Sequence, residues 1–116
     1  MSARSGQTYI FNAVAVRDTN PVSGQASVNG TQRVLLINNS LNQAGNYQVA
    51  YSYDGGATFT NLGSAQALGA NSGLSFVTQI GASTVQPVNG IFKITYTASV
   101  APASGTLTMA LQSLYI

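Results

Sequence analysis

The sequence predicts an all-β chain: a single-domain antiparallel β-sandwich of seven to eight strands, preceded by an extended N-terminal arm. Three observations carry this expectation. Apolar, β-branched and aromatic residues recur at every second position, the period of a half-buried strand, and nowhere at the period of a helix longer than a turn or two. Clusters of Gly, Asn and Pro punctuate these runs at short intervals. Hydrophobic residues make up 45% of the 116-residue chain, enough for one core at a length where folding buries roughly two-thirds of the unfolded surface.

Taken in order, residues 1–7 (MSARSGQ) contain one charge, Arg4, and no large apolar side chain after Met1. Such a segment gains little by ordering on an isolated domain, so it reads as an arm. Met1, Ser2, Ala3, Arg4 and Ser5 are accordingly candidates for contact with a neighbouring subunit, and the domain proper spans 8–116. Its first strand, Thr8 to Arg17, includes an apolar run interrupted by Asn12 and far too short to span a bilayer. No targeting segment or membrane contact is expected.

Asn20-Pro21 ends that strand, and a short one is possible at Gln25 to Val28 before the Asn29-Gly30 turn. Arg33 to Asn38 and Tyr47 to Tyr53 follow, separated by the turn-rich stretch Asn42 to Asn46. In the latter strand Tyr47, Val49, Tyr51 and Tyr53 share one face, and Gln48, Ala50 and Ser52 the other. Beyond Gly55-Gly56 come Thr58 to Leu62 and, after Gly69 to Gly73, Leu74 to Ile80. Asn89-Gly90 introduces Ile91 to Val100, where Phe92, Ile94, Tyr96 and Ala98 oppose Lys93, Thr95, Thr97 and Ser99. Pro102 to Gly105 leads to Thr106 to Tyr115, with Leu107, Met109 and Leu111 on one side. One apolar face per strand makes two sheets packed face to face, and the pattern leaves immunoglobulin-like and jelly-roll connectivities both open.

The chemistry is defined by what is missing. There is no cysteine and no histidine, and the two carboxylates, Asp18 and Asp54, sit on different turns. A nucleophile has no base to activate it, and a glycosidase-like pair would require folding to bring Asp18 and Asp54 together. Asp18-x-Asn20 lacks the further acidic ligands of a calcium loop and reads as an Asx turn before Pro21. The glycines at 63, 69 and 73 are not followed by the lysine of a phosphate loop. No enzyme activity, cofactor or metal is expected.

Charged residues make up 5% of the chain, against about 25% in typical soluble domains. The net charge of +2 comes from Arg4, Arg17, Arg33 and Lys93, which are scattered rather than clustered, so no nucleic-acid partner is expected. Polarity is supplied instead by 43 Ser, Thr, Asn and Gln residues.

One of the two acidic residues stands in the stretch YSYDGGATF (51–59). Here Ser52-x-Asp54-x-Gly56-x-Thr58-Phe59 resembles the Asp-box, S/T-x-D-x-G-x-T-W/F, of sialidases and other β-propeller proteins, with Phe where Trp is commoner. The resemblance implies a structural hairpin, with the carboxylate accepting backbone N–H groups of a tight turn, the glycines permitting positive φ, and the aromatic packing back beneath. A propeller blade takes about 40 to 50 residues and a ring needs several, so one box in this length implies nothing about sialic acid. Tyr51, Tyr53 and Phe59 could stack on a sugar ring; they read as sandwich core.

In composition the whole chain resembles the head decoration or cement proteins of tailed bacteriophages, small β-rich domains rich in Gly, Ala, Ser, Thr and Asn. That resemblance implies a non-enzymatic virion protein, assembled in the host cytoplasm, that binds the major capsid protein or another virion protein as a homo-oligomer, often a trimer, and stabilises the head lattice. A phage tail or fibre protein, or a carbohydrate-binding or adhesin module, remains the alternative.

Overall fold

A computed structural model describes residues 4–28, 32–52, 54–78 and 90–115. Among them lie nine strands: β1 (Arg4–Val14), β2 (Val22–Val28), β3 (Gln32–Asn39), β4 (Gly45–Ser52), β5 (Thr60–Asn61), β6 (Gln66–Leu68), β7 (Gly73–Thr78), β8 (Gly90–Ala98) and β9 (Leu107–Tyr115). They form two antiparallel sheets, one in the order β1-β9-β3-β7 and the other β2-β8-β4-β5, with β6 also on β4. The expected all-β sandwich is what the chain builds.

The count exceeds the expected seven to eight for a local reason. Strands β5 and β6 pair with successive halves of β4, β5 with Ala50 and Tyr51 and β6 with Gly45 to Tyr47, so together they occupy one strand position. Gln66-Ala67-Leu68 is too short to show alternation, and the sequence gives no signal for it. With β5 and β6 counted as one, the ladders are nested: β1 with β9, β2 with β8, β3 with β7, β4 with β5 and β6. This is a long ribbon folded in half and rolled up, the rolling adding the β3–β9 and β4–β8 pairings. The connectivity left open by the sequence is therefore that of a jelly roll.

The N-terminal arm is corrected in part. Arg4 to Gln7 belong to β1 and pair in register with Tyr115 to Gln112 of β9, so backbone hydrogen bonding to the domain's own sheet holds them. Met1, Ser2 and Ala3 lie outside the described residues. Strand β1 itself is irregular: its register to β9 shifts between Tyr9 and Phe11 and again before Val14, and Ala13 takes a φ of 52°, its N–H donating to Thr108 Oγ1 at 3.0 Å.

The core follows the predicted faces. Three rows of directly opposed residues cross the inner face of one sheet: Ala26–Phe92–Tyr51, Gly24–Ile94–Val49 and Val22–Tyr96–Tyr47. Against them pack Leu35 and Ile37 of β3, Leu107, Met109 and Leu111 of β9, and Phe11 of β1. Phe92 and Tyr51 meet edge to face, with ring centroids 4.9 Å apart. Phe92, Ile94, Tyr96, Leu35 and Met109 are fully buried.

Four connections gather at one end of the sandwich: 15–21, 40–44, 69–72 and 99–106. Their backbone groups are satisfied mostly by neutral side chains, with Arg17 and Asp18 as the charged contributors. The buried amide of Asn39 donates to the Gly69 carbonyl (2.9 Å) and Ser72 Oγ (3.1 Å), while its oxygen accepts the Leu41 N–H (3.1 Å). Asn42 Oδ1 accepts the Ala103 N–H at 2.8 Å, and Arg17 donates to the Gly105 carbonyl at 2.9 Å. Gly105 has a φ of 90°, and a Cβ there would collide with the Ser40 carbonyl, so only glycine fits.

Two outcomes test this packing. Phe92→Ala is expected to cost about 3–5 kcal/mol of stability in urea unfolding, the usual range for truncating a fully buried aromatic. Deleting residues 1–7 is expected to lower the melting temperature of the free protein, because the deletion removes four paired residues of β1; an unchanged temperature would contradict the pairing.

Candidate functional surface

The turn between β4 and β5 closes as its sequence implies. Ser52 Oγ donates to Asp54 Oδ1 at 2.8 Å and accepts the Gly56 N–H at 2.8 Å. Asp54 in turn accepts the Thr58 N–H on Oδ1 at 2.9 Å and the Thr58 hydroxyl on Oδ2. Gly55 and Gly56 turn the chain with φ of 75° and 99°, values that an L side chain resists. Phe59 is half-buried beside β8, with Lys93 Nζ 5.3 Å from its ring centroid. The hydroxyl of Thr58, its N–H and the hydroxyl of Ser52 hold the Asp54 carboxyl down from 3.8 to about 2. The group is nevertheless exposed, so the clamp works in competition with water.

The aromatic residues of this stretch divide. Tyr51 is core, as read from its alternation; Tyr53 lies outside the described residues; Phe59 is neither core nor an open stacking platform. Asp18 accepts the Asn20 N–H at 3.1 Å, the expected Asx turn. It stands in the connection before Val22, opposite Tyr96 and near the C-terminal end of β8, whereas Asp54 follows Ser52, opposite Ile91 at the start of β8. The two carboxylates are therefore at opposite ends of the sandwich and do not form a pair. Among the described residues no group of three or more His, Cys, Asp or Glu side chains comes together, and no helix is long and apolar enough to cross a membrane.

The outward face of the β1-β9-β3-β7 sheet offers a different feature. Register places Tyr9 opposite Ala110, Ala110 opposite Leu36, and Leu36 opposite Phe76, a single apolar row across all four strands. Tyr9 is 51% exposed, Phe76 60% and, one step along β7, Leu74 64%. Asn38 and Thr108 flank the row with neutral polarity. No described side chain on this face is charged; Arg4 and Arg33 stand in its strands in register with Tyr115 and Ser113. The opposite sheet presents a polar exterior in which Ser23 and Thr95 bond at 2.9 Å and Lys93 supplies a charge. Sequence reasoning missed the row because its members come from four separate strands.

The hairpin carries a prediction. Because the Asp54 carboxyl titrates lower in the folded state than in the unfolded chain, its stabilisation is fully present above about pH 4 to 5 and is lost as the pH falls through about 2. Asp54→Ala is expected to melt below the parent at neutral pH, with the gap closing between pH 4 and pH 2. A gap that persists at pH 2 would assign the loss to something other than the ionised carboxylate.

No family model matches the chain, and no curated protein matches it. Among solved structures, a family two carbohydrate esterase from Cellvibrio japonicus is similar in fold, with a TM-score of 0.50 and 10% identity over 99% of this chain and 35% of that one. A structure of infectious bursal disease virus, Gx strain, gives a TM-score of 0.46 and 12% identity over 97% of this chain and 33% of that one. The chain spans about a third of the length of each. At such identities the first likeness is one of fold, a β-sandwich.

Proposed function

We propose that this protein is a non-enzymatic structural component of a virion, a decoration or cement protein that binds a capsid lattice in many copies and stabilises it. The observation that carries the reading is the uncharged row Tyr9–Ala110–Leu36–Phe76 on one sheet face, whose ends Tyr9 and Phe76 are exposed, with Leu74 beside them, while Leu36 is partly covered and Ala110 is buried between. A contiguous apolar surface rimmed by neutral polar groups is the kind of surface that proteins use to meet other proteins. Double-sheet jelly rolls also serve as building blocks of viral capsids.

With six charged residues in the whole chain, attachment owes little to electrostatic steering or counterion release. Each contact is modest in this reading, and repetition over a lattice supplies strength through effective concentration. Subunits joined as a trimer, with the major capsid protein as partner, are the arrangement that the compositional resemblance favours.

Reconstitution tests the reading. Purified protein added to phage heads that lack their decoration protein is expected to raise the temperature at which the heads disrupt, at low salt and at about 1 M salt alike. Tyr9→Ser is expected to weaken attachment while leaving the melting of the free protein nearly unchanged, since the side chain is half exposed. Attachment that vanishes in salt, or saturates at a few copies per particle, would refute the decoration role and favour a tail or fibre protein.

A second reading is favoured by one detail: Tyr9 and Phe76 are exposed aromatics on a flat sheet with Asn38 and Thr108 nearby, groups that can stack on and hydrogen-bond a sugar. Binding to a glycan array, abolished by Tyr9→Ser, would move the assignment to a carbohydrate-binding module.

A further inference from the structure

Strand β7 is an edge of its sheet: among the described residues it pairs with β3 on one side and with no strand on the other. Edge strands in soluble proteins are normally blunted by charges, proline or a bulge, because their free N–H and C=O groups template another strand. The opposite edge, β1, carries two register shifts and a positive φ at Ala13. Strand β7, Gly73-Leu74-Ser75-Phe76-Val77-Thr78, has a positive φ only at its first residue, Gly73 (70°); it contains no charge and no proline and runs in unbroken register with β3. It also exposes the two large side chains that its alternation turns outward, Leu74 and Phe76.

We infer that the free edge of β7 pairs antiparallel with β7 of a second copy of this chain, forming a twofold dimer with a continuous sheet. The occupant follows from three features of the edge. Among the described residues its outer backbone donors and acceptors meet no partner strand, and another strand supplies one. Antiparallel pairing of a strand with itself is what a twofold axis produces, so one surface serves both copies. The sequence is self-complementary about Ser75: with the axis there, Leu74 of each copy stands opposite Phe76 of the other on the outward face, giving two aliphatic–aromatic cross-strand pairs.

Charge permits the same contact. The strand is neutral throughout, and the described outward side chains of β3 beside it are neutral, so a chain with net charge +2 meets its copy without opposing like charges. Pairing would also join the apolar rows of the two copies into one longer uncharged face. A single six-residue strand forms a small contact, well below the roughly 1,000 Å² expected of a permanent interface, so the dimer dissociates on dilution. The inference does not rest on the virion reading; it concerns the free protein, for which it sets a twofold dimer in place of the trimer that the compositional resemblance favours.

The test is sedimentation velocity of the full chain from micromolar to millimolar concentration, with two double variants. Leu74→Lys/Phe76→Lys places lysine against lysine twice and is expected to leave only monomer. Leu74→Lys/Phe76→Glu places lysine against glutamate twice and is expected to retain the dimer. Both positions are more than half exposed, and thermal melts like the parent's would show that the variants fold. A parent that stays monomeric throughout, a trimer or open polymer, or a dimer indifferent to the double lysine would overturn the inference. Loss of the dimer in the lysine–glutamate variant would overturn the Ser75-centred register.

Discussion

The fold depends on the packing of two pairs of central strands across the sandwich. Leu35 and Ile37 of β3 and Leu107, Met109 and Leu111 of β9 face Tyr47, Val49 and Tyr51 of β4 and Phe92, Ile94 and Tyr96 of β8. Nearly all of this surface is dry, and at about 25 cal/mol per Å² of apolar area removed from water it is the main favourable contribution available to a chain without disulfides. Every other strand attaches at the flank of one of these four. Because the central partners are far apart in sequence, this core forms only once the ribbon has rolled up, which makes the topology rich in non-local contacts and slow to fold by nature.

A core so assembled leaves its connections to be closed at the ends of the sandwich, and this chain closes them almost without charge. Asn39 is the central example: one buried amide satisfies a carbonyl, a hydroxyl and an N–H from two connections. Its removal would leave the Leu41 N–H without a partner where the chain is buried. The cost of burying a neutral amide is far smaller than that of burying an ion, so a charge-poor chain can place such a tie inside. The Tyr96 hydroxyl is the exception among the described residues, buried without a hydrogen-bond partner, and burial pushes its pKa up. The Asp54 hairpin solves the same closure problem at the other end, in the open, with a carboxylate.

These neutral solutions bear on the functional surface. In the proposed reading, a protein with so few charges, and with none among the described side chains of one sheet face, meets partners by shape, apolar contact and uncharged hydrogen bonds. Such contacts are insensitive to salt and tolerate the close approach of identical copies, as repeated assembly demands.

Much of this was legible in advance. Period-two alternation assigned the inner faces of β4, β8 and β9, because side-chain direction along a strand is a local property of the backbone. The motif at 52–59 was legible for the same reason: its clamp spans seven residues. What lay beyond the sequence were relations between distant segments. The jelly-roll order, the joint use of one strand position by β5 and β6, and the recruitment of Arg4 to Gln7 into β1 are fixed by which ladders close together. The row Tyr9–Ala110–Leu36–Phe76 shows the point most clearly. In isolation Leu74 and Phe76 look like the core face of their strand, yet register with β3 sets Ser75 and Val77 opposite Ile37 and Leu35 and turns the larger side chains to solvent. Local pattern determines that a strand has two faces; only the packed partner strand decides which of them is buried.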